Sequence, residues 1–289
     1  MVNKLLHLPF KINLKMKKIL LFSLCFATAY VNAQNIKLDN GRKITATTSL
    51  TMDMDLGMGG QTKMASKAVN VINVSAIGDK DYKATNTVTK LTMANEGMGQ
   101  SLEFDSDKKE DRESEMGKAL GNQLDKPVEI SIEKNTGKVS ELNKKTSSEE
   151  EEMDKNPMAE IMGDTQSAEA TAGNAFFVIP AGKKTGDKWT DSTFEAGLKG
   201  IKTYELKAIN NGVATVGVIA TAKGIINKET QGMQLEMNMN STGDGTMIVD
   251  TKSGLVKKND FTSDVTGTLD VMGQSMPITM KMVSSTVFE

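Results

Sequence analysis

From Ile44 onward, apolar and polar side chains alternate in short runs bounded by Gly, Asn and Asp. A period of two marks strands that bury one face and leave the other polar. Leu50, Met52, Met54 and Leu56 alternate with Thr51, Asp53 and Asp55. Leu235, Met237 and Met239 repeat the pattern against Glu236 and Asn238. Met276, Ile278, Met280 and Met282 do so again, and Pro277 sets that run at a sheet edge or a strand start. Asn210-Asn211-Gly212 predicts a tight hairpin turn, because Asn and Gly tolerate its left-handed dihedrals. Asn135-Thr136-Gly137 and Lys252-Ser253-Gly254 predict two further turns between short runs. Met58-Gly59-Gly60-Gln61, Met98-Gly99-Gln100-Ser101 and Met272-Gly273-Gln274-Ser275 predict similar hairpin tips near both ends of the chain. Glycine supplying positive φ explains all three, and an ancestral duplication is the alternative.

Two segments break the strand pattern. Met116, Ala119, Leu120 and Leu124 fall on one helical face after a charged lead-in from Asp105 to Glu115. Asn156-Pro157 gives a cap and a first-turn proline to a helix with Met158, Ile161 and Met162 as its stripe. Around that helix, Glu149 to Glu152 form an acidic run and Asp164 to Gly173 are small and polar. The expected fold is mainly β: curved antiparallel sheets, a half-barrel or open barrel, with two or three short helical insertions. Residues 34–143 form an N-terminal β-rich half, 144–173 an acidic and polar mobile connection with a short helix, and 174–289 a C-terminal β-rich half.

The first residues follow a different logic. Lys17-Lys18 precede the apolar run Ile19 to Ala27, which is shorter than the roughly 20 residues that span a bilayer. Val31-Asn32-Ala33 then presents small residues before Gln34. Basic start, short apolar centre and small-residue exit predict a cleavable export signal over residues 1–33, with Met16 as the better start. The expected location is periplasmic or secreted. Lipid anchoring at Cys25 is disfavoured because Leu24, which is not small, precedes it.

Cleavage changes the chemistry. It removes five lysines and no acid, which moves the net charge from −2 to −7. That sign argues against nucleic acid as a partner, and no transmembrane segment is expected in the mature chain. Cleavage also takes away His7 and Cys25, the single histidine and the single cysteine. Ser-His-Asp and Cys-His nucleophilic sites and Cys/His zinc sites go with them. The expectation is a protein that is not an enzyme and carries no cofactor and no metal.

Methionine is the compositional oddity, with 20 in the full chain and 18 after residue 33. The pairs Met52/Met54, Met237/Met239 and Met280/Met282 are spaced i, i+2, so each pair shares a strand face. Three explanations stand: Met as gap filler in an ordinary core, a greasy adaptable surface for a lipid or acyl chain, and thioether binding of Cu(I). The second makes these six methionines and Trp189 the candidate ligand-binding residues, with a hydrophobic ligand or an envelope protein as partner. The carboxylate pairs Asp53/Asp55, Asp105/Asp107 and Asp111/Glu113 lie in solvated faces or charge runs, and Ser241-Thr242-Gly243-Asp244-Gly245 reads as a turn with one carboxylate.

The most distinctive local pattern is Phe176-Phe177-Val178-Ile179-Pro180, read as a buried strand, followed by a turn at Gly186-Asp187 that presents Trp189 to the core or a cavity mouth. With the Thr203-Tyr204-Glu205-Leu206 strand and the Asp250-Thr251-Lys252-Ser253-Gly254 turn, it resembles an uncharacterised family of exported bacterial β-rich proteins, a domain of unknown function. That resemblance spans most of the chain after the signal and implies no active-site residues. In architecture the chain is also similar to periplasmic lipoprotein carriers, which implies an acyl-chain-holding half-barrel.

Overall fold

The computed structural model describes residues 35–57, 60–97, 100–120, 124–143, 168–195, 197–230, 233–271 and 274–289. The expected export signal, the helix led by Pro157, most of the 144–173 connection and the Met-Gly pairs of the three hairpin tips lie outside them.

Twelve strands make one antiparallel sheet: β1 (Lys43–Asp55), β2 (Gln61–Ile77), β3 (Asp81–Gly97), β4 (Gln100–Asp105), β5 (Val128–Glu133), β6 (Val139–Glu141), β7 (Lys188–Glu195), β8 (Leu198–Asn210), β9 (Val213–Thr230), β10 (Met233–Asp250), β11 (Val256–Val271) and β12 (Gln274–Phe288). Their order is β6-β5-β3-β2-β1-β12-β11-β10-β9-β8-β7, with β4 paired to the far part of β3. β1 pairs with β12, so strands from both sides of residues 144–173 share the sheet. The sheet is curved and does not close into a barrel, with β6 and β7 as its two ends. Three short helices accompany it among the described residues: α1 (Lys109–Glu113), α2 (Glu115–Leu120) and α3 (Ala168–Gly173).

Four register shifts set the curvature. They fall at Val69/Asn70, Val74/Ala76, Leu206/Ala208 and Ile248/Val249. Each adds one unpaired residue to a strand, which bends it and increases its twist. The arms on either side of the β1–β12 pair thereby bring their apolar faces together. Ile44, Ile72, Ile130 and Ile132 from one arm join Leu206, Val216, Val249 and Val256 from the other in a single buried cluster. Burying each such side chain contributes about 1.5–3 kcal/mol.

Two non-strand segments fill the space between the arms. Ile36 donates its backbone N–H to Lys134 O at 2.7 Å, and Lys37 donates to Ser253 O at 2.9 Å, so the stretch before β1 ties the β5–β6 turn to the β10–β11 turn. The stretch after α3 contributes buried Ala175, Phe176 and Ile179. It is not the strand its composition predicts. Phe176 makes one isolated bridge, to Leu255, and Phe177 donates to Gly254 O at 2.9 Å. Pro180 has no N–H to extend a ladder, and side chains of both arms surround the segment, so its burial comes from position.

Tyr82 fastens the first segment. Its hydroxyl donates to Ile36 O at 3.0 Å and accepts from Leu38 N at 3.2 Å, all within the buried cluster. Tyr82→Phe keeps the ring and strands both backbone groups, so urea unfolding is expected to show a loss of about 1–3 kcal/mol.

Other expectations meet mixed outcomes. Asn211 and Gly212 adopt φ of 51° and 79° in the β8–β9 turn, as the Asn-Gly signal requires. The three Met-Gly stretches each connect paired neighbours, β1 to β2, β3 to β4 and β11 to β12. Leu124 is not on the expected helix: it makes an isolated parallel bridge to Val88, and α2 ends at Leu120. Met116, Leu120 and Leu124 nonetheless pack together with Leu91 and Phe104. The expected charged lead-in is partly helical, as α1.

Candidate functional site

Directly paired residues of antiparallel neighbours share a face, so the register can be followed row by row. Met64, Met52 and Met282 are consecutive members of one row, on β2, β1 and β12. The row continues through Ser263, Gly243 and Ala220 to Lys202 and Asp191. Met54, Met280 and Val265 sit side by side in the next row. Both rows extend the face that carries the buried cluster, which is the concave one.

Four of the six predicted methionines are thus brought together. Met52 and Met54 are buried, with Met64 added, and Met280 and Met282 are half-buried. Met237 and Met239 are half-buried on the same face of β10, where they oppose Leu269 and Gly267 of β11. They are two strands from β12 and apart from the other four. A hollow of about 420 Å³ adjoins Met54, Val265 and Met280.

Trp189 belongs to a different place. Its row runs Trp189, Tyr204, Val218, Gly245, Phe261 and Ser284 across β7 to β12. The Trp189 and Tyr204 rings stack with centroids 5.5 Å apart. Phe177 closes on them from the segment after α3, 5.0 Å from Tyr204 and 6.3 Å from Trp189. The Phe261 ring lies over two glycines: a Cβ on Gly243 or Gly245 would fall 2.7 or 2.8 Å from its atoms. Residues 241–245 are therefore the middle of β10 and not the expected turn, because a ring takes the room that side chains would have filled.

These aromatics wall a cavity of about 860 Å³, with Phe176, Val218 and Met247 contributing further apolar surface. That volume lies within the range of small-molecule sites. Polar groups share the lining: Lys138, Asn174, Asp191, Lys202, Asn259 and Ser284, with Asn135 and Thr136 of the β5–β6 turn. The Tyr204 hydroxyl is pushed up to about 12 by burial, with the Asp191 charge adding to the effect. It therefore stays protonated at neutral pH. The Lys183 ammonium stands over the Trp189 ring, 5.6 Å from its centroid, and donates to Lys188 O at 3.0 Å.

The carboxylate pairs serve local structure. Asp111 accepts from Asp105 N at 2.7 Å, Asp107 pairs with Lys90, and Asp55 accepts from Gly57 N at 2.8 Å. Among the described residues no group of three or more His, Cys, Asp or Glu is placed to hold a metal ion, and no helix is long and apolar enough to cross a membrane. Trp189 is the one cavity residue singled out from sequence. Phe177 and Tyr204 lie in the same distinctive stretch, whereas Phe261 and Lys202 carry no local signal and are found through register alone.

Among solved structures, the chain is similar to lipovitellin, in a structure concerned with its lipid–protein interactions: TM-score 0.50 and 10% identity, covering 88% of this chain and 25% of that one. The chain thus spans about a quarter of that protein's length, and the likeness is one of fold. It is also matched to an outer membrane channel from Pseudomonas putida F1 at TM-score 0.26 and 6% identity, over 88% of this chain and 97% of that one. No curated protein matches it. The model of DUF6263, a family of unknown function, matches residues 79–256, more than half of the chain, including β7 to β10 but not the cavity residues of β11 and β12, and the chain belongs to that family.

Proposed function

We propose that this is an exported, non-enzymatic protein that holds a lipid or acyl chain against the concave face of its sheet. The observation that carries the reading is the cavity of about 860 Å³ with one wall of clustered aromatic rings, Phe177, Trp189, Tyr204 and Phe261, and polar residues on the rest of its lining. Unlike a sealed core, it offers apolar surface that a ligand takes from water at about 25 cal/mol per Å². The methionine rows extend the same face beyond the cavity, and flexible thioethers adapt to varied shapes. The fold likeness to lipovitellin, whose structure concerns lipid–protein interactions, supports a fold of this kind next to lipid.

Trp189 is the only tryptophan in the chain, so it reports on the cavity without labelling. Titration with a bromine-bearing long-chain fatty acid is expected to quench its fluorescence saturably, and native mass spectrometry is expected to find co-purified lipid. Flat quenching together with a lipid-free spectrum would overturn the reading. That result would favour a second one, an interaction module of the cell envelope, for which the open end strand β7 and its outward Phe194, 80% exposed, speak.

A further inference from the structure

We infer that the ligand's head is a carboxylate and that Lys202 receives it, which makes the cargo a fatty acid. The inference rests on the cavity reading above and adds the chemistry of the head. Lys202 is the cross-strand partner of Asp191 and lies one row beyond Trp189 and Tyr204 on the concave face, at the step from the aromatic row to the methionine row. Its side chain is exposed, and among the described residues no ion pair engages it. An ammonium so placed answers the one demand that an acyl chain in an apolar cavity leaves open, a counter-charge for its end.

Two neighbours narrow the head. Tyr204, two residues along β8, keeps its hydroxyl proton because burial and the Asp191 charge disfavour the phenolate, so it stays a donor on the lining it shares with Lys202. Asp191 offsets one of the two ammoniums on the lining, Lys138 and Lys202, so a single negative charge balances the cavity and a second exceeds it, which favours a carboxylate over a phosphate dianion. A hydrogen bond to a charged partner is stronger than one to a neutral head, such as an alcohol.

The test compares palmitate with hexadecanol, each below its solubility limit, read by displacement of the bromine-bearing probe from Trp189. Palmitate is expected to bind at least about tenfold more tightly than hexadecanol. Lys202→Met should remove that advantage, lowering palmitate affinity about tenfold with hexadecanol unchanged, and Lys202→Arg should restore most of it. Because Lys202 is exposed, urea midpoints of both variants should match the parent. Equal affinity for the acid and the alcohol, or palmitate binding indifferent to Lys202→Met, overturns the carboxylate assignment and leaves the apolar cavity standing. Failure of both ligands to displace the probe overturns the two together.

Discussion

Leu206→Ala is expected to cost about 2–5 kcal/mol of unfolding free energy, read as a lowered urea midpoint at an unchanged slope. Leu206 is fully buried in the cluster where the two arms of the sheet meet. Truncation removes three carbons from water-free contact and leaves a void that strand backbones on both sides hold open. The backbone around it is fixed: Leu206 donates to Asp187 O at 3.0 Å and accepts from Gly186 N at 2.7 Å, and the register shift at Leu206/Ala208 follows directly. The neighbourhood therefore has little freedom to collapse inward. Ile219→Ala is the matched control. Ile219 lies on β9 but faces outward and is 60% exposed, so its truncation should stay within about 0.5 kcal/mol. Two similar side chains on adjacent strands would then differ by several-fold in effect, which tests the assignment of the concave face directly. Equal losses would mean that the outward face is covered as well.

The alternation that separates Leu206 from Ile219 is also what sequence shows best. Period-two runs around Met52/Met54, Met237/Met239 and Met280/Met282 are strands with those residues on the inner face, and the Asn211-Gly212 turn is where its dihedrals require it. What alternation does not carry is partnership. Thr48 and Thr286 share a side-chain hydrogen bond at 3.0 Å across the β1–β12 pair although nearly the whole sheet separates them along the chain. Nothing local marks that pairing, yet it makes neighbours of Met52 and Met282. Long strands were equally hidden. Gly243 and Gly245 resemble turn residues until Phe261, from the next strand, is seen to lie over them. The reverse error occurs at Phe176–Pro180, where a strand-like composition belongs to a segment enclosed by side chains. For the candidate site, Trp189 was legible as a lone large ring after a Gly-Asp turn. Lys202 and Phe261 were not, because their meaning lies in which row they share.

The turn that joins β10 to β11 provides the second large effect. Gly254 is buried at φ 73°, donates to Asp250 O at 2.9 Å and accepts from Phe177 N, so its backbone is held from both sides. A Cβ there would stand 2.5 Å from Cδ1 of Ile36, which is itself buried between the arms. Gly254→Ala is expected to cost about 2–4 kcal/mol, part from the left-handed dihedral and part from the crowding. Gly212→Ala separates the two parts. Gly212 has φ 79° but a Cβ there would find its nearest neighbour, Thr251 Oγ1, at an ordinary 3.8 Å, so it should lose only the dihedral part, about 1–2 kcal/mol. Ile36→Val deletes the crowding atom. Alone it should cost about 0.5–1.5 kcal/mol, but combined with Gly254→Ala it should cost about 1 kcal/mol less than the two added together. Additive losses would show that Ile36 does not press on the turn and would break the link between the stretch before β1 and the β10–β11 connection. A coupling of the expected sign would place that stretch as the part that ties the two arms, and with them the concave face on which the cavity lies.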